Sequence, residues 1–146
     1  MYGPGTLDEK HQRRSIYFFV KRSKLVPSMV LFDAPDALGG MDRRPVTTVA
    51  PQALLMMNSE IVRGYAEALA RRVSPSDAVP SAEAVRAGYQ ITLGRLPTER
   101  ELKMSVAFLE QQSASYREDG KANARQLALA DFCQVLLGLN EFVYVD

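Results

Sequence analysis

The chain has 146 residues, 47% hydrophobic and 24% charged, with eighteen Lys/Arg against seventeen Asp/Glu and a formal net charge of +1. That composition fits one ordinary globular domain able to bury roughly two-thirds of its unfolded surface. The balanced charge excludes a bulk field for nucleic acid or an anionic membrane, and no apolar run approaches the roughly 20 residues of a membrane span. A single cysteine excludes an internal disulfide. No signal-peptide pattern opens the chain, and Met1-Tyr2-Gly3-Pro4-Gly5 reads as the interior of a longer protein.

In chain order, residues 12–24 form the first candidate helix, with Ile16, Phe19 and Val20 on one side; the run Ile16–Val20 is β-prone, so a strand is the competing reading. Pro27 and Pro35 bracket a short apolar piece, and Asp33, Pro35, Asp36, Gly39 and Gly40 make 33–48 a long loop. A second helix opens near Thr48–Pro51 and runs to Met57, where Asn58-Ser59 stops it and restarts the next. The third, about 60–73, carries Ile61, Tyr65, Ala68, Leu69 and Val73 at helical spacing. Residues 74–81 are a polar connector, the best internal boundary of what reads as a single helical domain.

Ser81 is placed to cap a fourth helix over 82–93, with Val85, Tyr89 and Leu93 inward and Gly94 at its end. Thr98 followed by Glu101 fits a capping box, in which each residue satisfies an orphan amide near the other. The helix it starts runs to about 116 and buries Leu102, Val106 and Leu109. A turn through Glu118-Asp119-Gly120 leads to a last helix over 122–138, apolar through Leu127, Ala130, Cys133, Val135 and Leu136. The fold class is therefore mostly α, a compact array of five or six helices with a long loop near 33–48.

The residues that carry chemistry are few. His11 lies in a charged leader and reads as solvated, while Cys133 sits among apolar residues and reads as a small core hydrophobe. One His and one Cys make neither a nucleophile–base pair nor a zinc site of the usual N/S type. Asp33, Asp36 and Asp42 do not match a calcium-loop spacing and read as turn residues. The basic-aromatic stretch from Arg13 to Lys24 offers cations and rings to a nucleic acid, yet a helix packed on one face accounts for it more simply. No catalytic residue, metal site or cofactor is assigned to this chain, and no nucleic acid or membrane partner.

Five motifs, in order, resemble a known family. They are Arg13-Arg14-Ser15-Ile16-Tyr17-Phe18-Phe19-Val20 with its basic tail to Leu25, then Leu31-Phe32-Asp33-Ala34-Pro35-Asp36, then Arg44 through Leu54 with Met57-Asn58. Leu93-Gly94-Arg95-Leu96-Pro97-Thr98-Glu99-Arg100-Glu101-Leu102 and Asn140 through Asp146 complete the set. Together they resemble the C-terminal region of a planctomycete-type domain of unknown function, DUF1553 or PSD1. The resemblance implies that this chain is the tail of a larger, exported protein, often with a companion domain of unknown function and a cytochrome-c-like segment upstream. It supplies no catalytic residues.

The motif residues Arg13, Arg14, Asp33, Asp36, Arg44, Thr47, Thr48, Gln52, Asn58 and Asn140 thus have no known role. Asp33 and Asp36 suit turn caps, and Asn58 and Asn140 suit caps or turns. Arg44 beside Thr47, Thr48 and Gln52 places a planar five-donor cation near a helix start, where it ties a loop to carbonyls or a carboxylate, or alternatively holds a ligand anion. The expected function is a helical accessory or interaction module whose partners are upstream domains of the same polypeptide. The alternative is part of a redox or polymer-degrading enzyme whose catalytic groups lie mainly upstream, with Arg14, Asp33, Arg44 or Gln52 reaching a shared cleft. A slice of a larger protein should also expose apolar surface, so the isolated chain is expected to form a homo-oligomer.

Overall fold

The computed structural model describes residues 50–144, and the expected first helix, the 33–48 loop and the motif residues before position 50 lie outside that range. The chain divides between Leu55 and Met56 into two units. Among the described residues there are six helices and no strand: α1 Ala50–Asn58, α2 Glu60–Val73, α3 Ser81–Leu93, α4 Glu99–Glu118, α5 Ala124–Leu137 and α6 Asn140–Val143. Helices α2 to α6 belong wholly to the second unit, Met56–Asp146. The mostly α expectation holds here, and α6 is an addition to the helices read from the sequence.

The boundaries obey local chemistry. The hydroxyl of Thr98 accepts from the Glu101 backbone N–H (3.3 Å) while the Glu101 carboxylate accepts from the Thr98 backbone N–H (2.7 Å), so the expected capping box is complete. At the other end of α4, Lys121 N–H reaches the Tyr116 carbonyl (2.9 Å) and Gly120 N–H the Arg117 carbonyl (3.0 Å). This is a Schellman closure, and the left-handed φ of 71° at Gly120 is what it requires. Gly94 ends α3 in the same left-handed region, as expected.

Two caps differ from expectation. Pro80, not Ser81, is the N-cap of α3; Ser81 is its first residue, and its hydroxyl accepts from Arg125 Nη1 (3.4 Å). Ser59 stands at the N-cap of α2 without a side-chain cap bond.

α5 is the centre of the second unit. It packs against α2 and α4, and also against α3 and α6. Its buried residues include the consecutive triple Ala128-Leu129-Ala130 and then Phe132, Cys133 and Leu136, so it is apolar around most of its circumference. A helix of that kind is stable only when neighbours enclose it.

The neighbours offer small or flat surfaces. α2 buries Ala66 and Ala70, one turn apart, together with Val73. Of the expected face, Val73 is buried and Leu69 packs on the core, whereas Ala68 is exposed and Tyr65 is 53% exposed. The apolar spacing on α2 points to large residues, whereas the helix actually turns its alanines inward to approach α5 closely. α3 presents Val85 and Tyr89, with the Tyr89 ring centroid 6.4 Å from that of Phe132. A β-carbon added to Gly88 would lie 3.0 Å from both Leu136 Cδ1 and Phe132 Cε1, so the bare glycine sets the α3–α5 approach. On α4, Leu109 is buried and Leu102 and Val106 are partly buried against the same core, as expected.

Of the five apolar residues read on α5, Ala130, Cys133 and Leu136 are buried, whereas Leu127 is only partly buried and Val135 is 54% exposed. The actual inward residues Leu129 and Phe132 lie between them. Leu129→Ala should therefore lower the unfolding free energy by about 2–5 kcal/mol, whereas Val135→Ala should stay within about 0.5 kcal/mol. Urea melts of the two variants check this, and equal losses would show that the core face has been misplaced.

Candidate functional site

Three polar centres hold the helices to one another, each built on an arginine. The first joins α2, α4 and α5. Arg63 Nη1 donates to Asp131 Oδ1 (2.5 Å) and to Gln134 Oε1 (3.3 Å), and the Tyr116 hydroxyl donates to Asp131 Oδ2 (2.8 Å). Gln134 in turn donates through Nε2 to the carbonyls of Met56 (3.2 Å) and Met57 (2.8 Å), which end α1 and have no helical partner of their own. The one acid of α5 thus has both oxygens satisfied, as a part-buried carboxylate must. The bond to Asp131, with burial second, raises the Tyr116 phenol above its ordinary pKa near 10.

The second centre is Arg95, in the loop between α3 and α4. Its two terminal nitrogens grip both oxygens of Glu101 (3.0 and 2.9 Å), Nε and Nη2 grip both oxygens of Glu141 in α6 (2.7 and 2.8 Å), and Nη1 also reaches the Leu96 carbonyl (3.1 Å). The guanidinium carbon stands 5.4 Å from the centre of the Tyr89 ring, a cation–π distance. A planar fork suits two carboxylates and a ring at once, which a lysine could not reproduce. Arg95, then the Thr98 amide, pulls Glu101 down to about 2, and Arg95 lowers Glu141 as well.

The third centre is Arg125, whose Nη2 donates to the Val79 carbonyl and whose Nε lies 4.0 Å from Asp77. It fastens the 74–80 segment, which joins α2 to α3, onto α5.

Two hollows lie among the described residues. An open cleft of about 410 Å³ at the start of α2 is walled by Asn58, Ser59, Glu60, Arg63, Glu67 and Gln134. A second, of about 240 Å³, lies among α3, α4 and α5 and is mainly apolar, with Tyr89, Phe108, Phe132, Leu136 and Met104 around it and Leu139 at one edge. No group of three His, Cys, Asp or Glu able to hold a metal ion occurs among the described residues. No described helix is long and apolar enough to cross a membrane.

The structure brings few of the sequence-selected residues together. Arg13, Arg14, Asp33, Asp36, Arg44, Thr47 and Thr48 lie outside the described residues, as does His11. Gln52 is buried in α1, Asn58 is exposed at its end, and Asn140 opens α6 with its carbonyl accepting from Tyr144 N–H (2.8 Å). Cys133 is fully buried, and burial pushes its thiol up to about 12, which makes it the core residue its apolar neighbours imply.

Sequence reading did not single out Arg63, Arg95, Tyr116, Asp131, Gln134 or Glu141. A signal existed for two of them: Asp131 and Gln134 interrupt a long apolar stretch, and a polar residue there needs a partner.

Among the described residues, the fold and these centres define a helical bundle whose arginines tie helix to helix. The chain belongs to the PSD1 family, proteins of unknown function also designated DUF1553, which it matches over residues 4–109. That span contains the first four motifs, and the Asn140–Asp146 motif lies beyond it. No curated protein matches the chain, and no solved structure does.

The geometry makes two measurable demands. Asp131→Asn should bring the Tyr116 phenol back toward 10 in an absorbance titration, and Asp131→Ala, which strands Arg63 and Tyr116, should cost about 1–3 kcal/mol in a urea melt. The Glu101 carboxylate titrates below its ordinary value near 4.5. Its contribution is therefore complete above about 4.5 and is lost as pH falls toward about 2. Glu101→Gln should flatten that acid limb, and an unchanged limb would assign acid sensitivity to other carboxylates.

Proposed function

We propose that this chain is a helical interaction module that completes a larger, exported polypeptide by docking against segments upstream of it. The observation that supports this reading is apolar surface left open on a well-tied bundle. Met104 is 61% exposed and Val135 54%, both beside the apolar hollow, and Leu96 and Phe142 are exposed as well. The charged groups with perturbed ionisation are meanwhile engaged with one another: Arg95 with Glu101 and Glu141, and Tyr116 with Asp131 and, through it, Arg63. Large apolar side chains beside a concavity are what a protein–protein contact uses, whereas scattered single ones are ordinary. The family resemblance supports the larger exported context.

The test is the native protein. Purified from its source with an antibody to this segment, it should have an intact mass several-fold above 16.2 kDa; a free chain of that mass overturns the reading. The isolated chain should also self-associate in light scattering as its concentration rises, and Met104→Glu should weaken that association. A clean monomer at high concentration would count against an adhesive apolar face. In the full-length protein, Arg44→Ala should leave any turnover intact, and its abolition without unfolding would favour the alternative of a shared enzymatic cleft.

A further inference from the structure

The last helix is held in an unusual way. α6 has four residues and buries none of them, so burial of its own side chains contributes little to its position. What fixes it beyond its packing on α3 and α5 is the fork from Arg95 to both oxygens of Glu141. Two groups that Arg95 touches also line the apolar hollow. Tyr89, beneath the guanidinium, and Glu101, its second carboxylate, both line the 240 Å³ space. Leu139, the residue immediately before α6, forms part of the same wall and is packed against the core.

From this juxtaposition we propose that residues 139–144 are a strap, latched by the Arg95–Glu141 pair, whose release widens the apolar hollow between α3, α4 and α5. Release leaves the rest of the bundle intact. Glu101 keeps the Thr98 backbone and hydroxyl as donors and keeps Arg95, so the start of α4 does not depend on Glu141. Leu136, Phe132 and Tyr89 stay buried by α3–α5 contacts that do not involve α6. Swinging Leu139 away takes one apolar wall from the hollow, which Met104 and Val135 already line, and widens it into a longer groove. Because the pair is solvent-exposed, its hold falls as salt screens it.

Amide hydrogen exchange on the full 146-residue chain reads the strap directly. The amides of Phe142, Val143 and Tyr144 donate to Leu139 and Asn140 carbonyls at 2.9, 3.1 and 2.8 Å, so each is a probe. In Glu141→Ala these three should exchange about three- to tenfold faster than in the parent chain, while amides within α4 keep their rates. Arg95→Lys, which keeps the charge but loses the fork, should fall between the two. An apolar fluorescent dye should bind Glu141→Ala more strongly than the parent, and salt at about 1 M should move the parent toward the variant.

Unchanged exchange over 142–144 in Glu141→Ala would overturn the latch. Accelerated exchange with unchanged dye binding would overturn the link to the hollow. Loss of protection throughout α4 would overturn it as well, since the pair would then support the whole bundle rather than a strap.

Discussion

The enclosure of α5 is the constraint on which the rest of the unit depends. Its consecutive buried residues leave no broad polar face to turn toward water, so the helix is stable only with neighbours around it. Each fully buried leucine, such as Leu129 or Leu136, is worth about 1.5–3 kcal/mol. That gain exists only if the surrounding helices approach closely, which explains the composition of the facing surfaces. Ala66 and Ala70 on α2 and Gly88 on α3 are small because larger side chains would hold their helices off. The same enclosure explains why Cys133 is chemically quiet: a thiol without water or a cation near it stays protonated.

A helix enclosed in this way still needs a fixed rotation and register, and the polar centres supply directional contacts that apolar packing lacks. Asp131 is reached from two sides, by Arg63 of α2 and Tyr116 of α4, and Gln134 one turn later receives the end of α1. Arg125 fastens the α2–α3 segment at the other end of α5. These bonds are individually modest, because folding exchanges water partners for protein ones. Their importance lies in what happens when one partner is missing, since the remaining group is then part-buried and unsatisfied.

Arg95 differs from the other two in being surface-exposed. It joins the capping box of α4, the ring of Tyr89 and the α6 carboxylate through one planar group, and so links two sequence motifs, Leu93–Leu102 and the one beginning at Asn140, in space. The apolar hollow beside it opens toward side chains that water surrounds on the bundle alone. A tied interior with an open apolar margin is consistent with a part that functions next to other structure.

Local chemistry was legible from residue order because its causes are local. The Thr98–Glu101 box, the left-handed Gly94 and Gly120, and the stop at Asn58-Ser59 each depend on groups within a few residues, and all appear where the pattern places them. The type of these elements was legible for the same reason, although the short α6 was not. Which face is inward was legible on α3 and α4 but only in part on α2 and α5. Tyr65 and Val135 fit the apolar spacing yet face water, because α2 turns its alanines toward α5 and α5 has several neighbours rather than one. The cap of α3 shows the same limit in miniature. Ser81 has the right chemistry for an N-cap, but it is already the first residue of the helix, and its hydroxyl accepts from Arg125, forty-four residues later. The pairing of Arg63 with Asp131 spans sixty-eight residues and that of Arg95 with Glu141 forty-six. By itself, then, the sequence determined the helical class, most of the described helix boundaries and the family. The tertiary structure alone decided which faces meet and which charges pair, because those depend on distances between groups far apart in the chain.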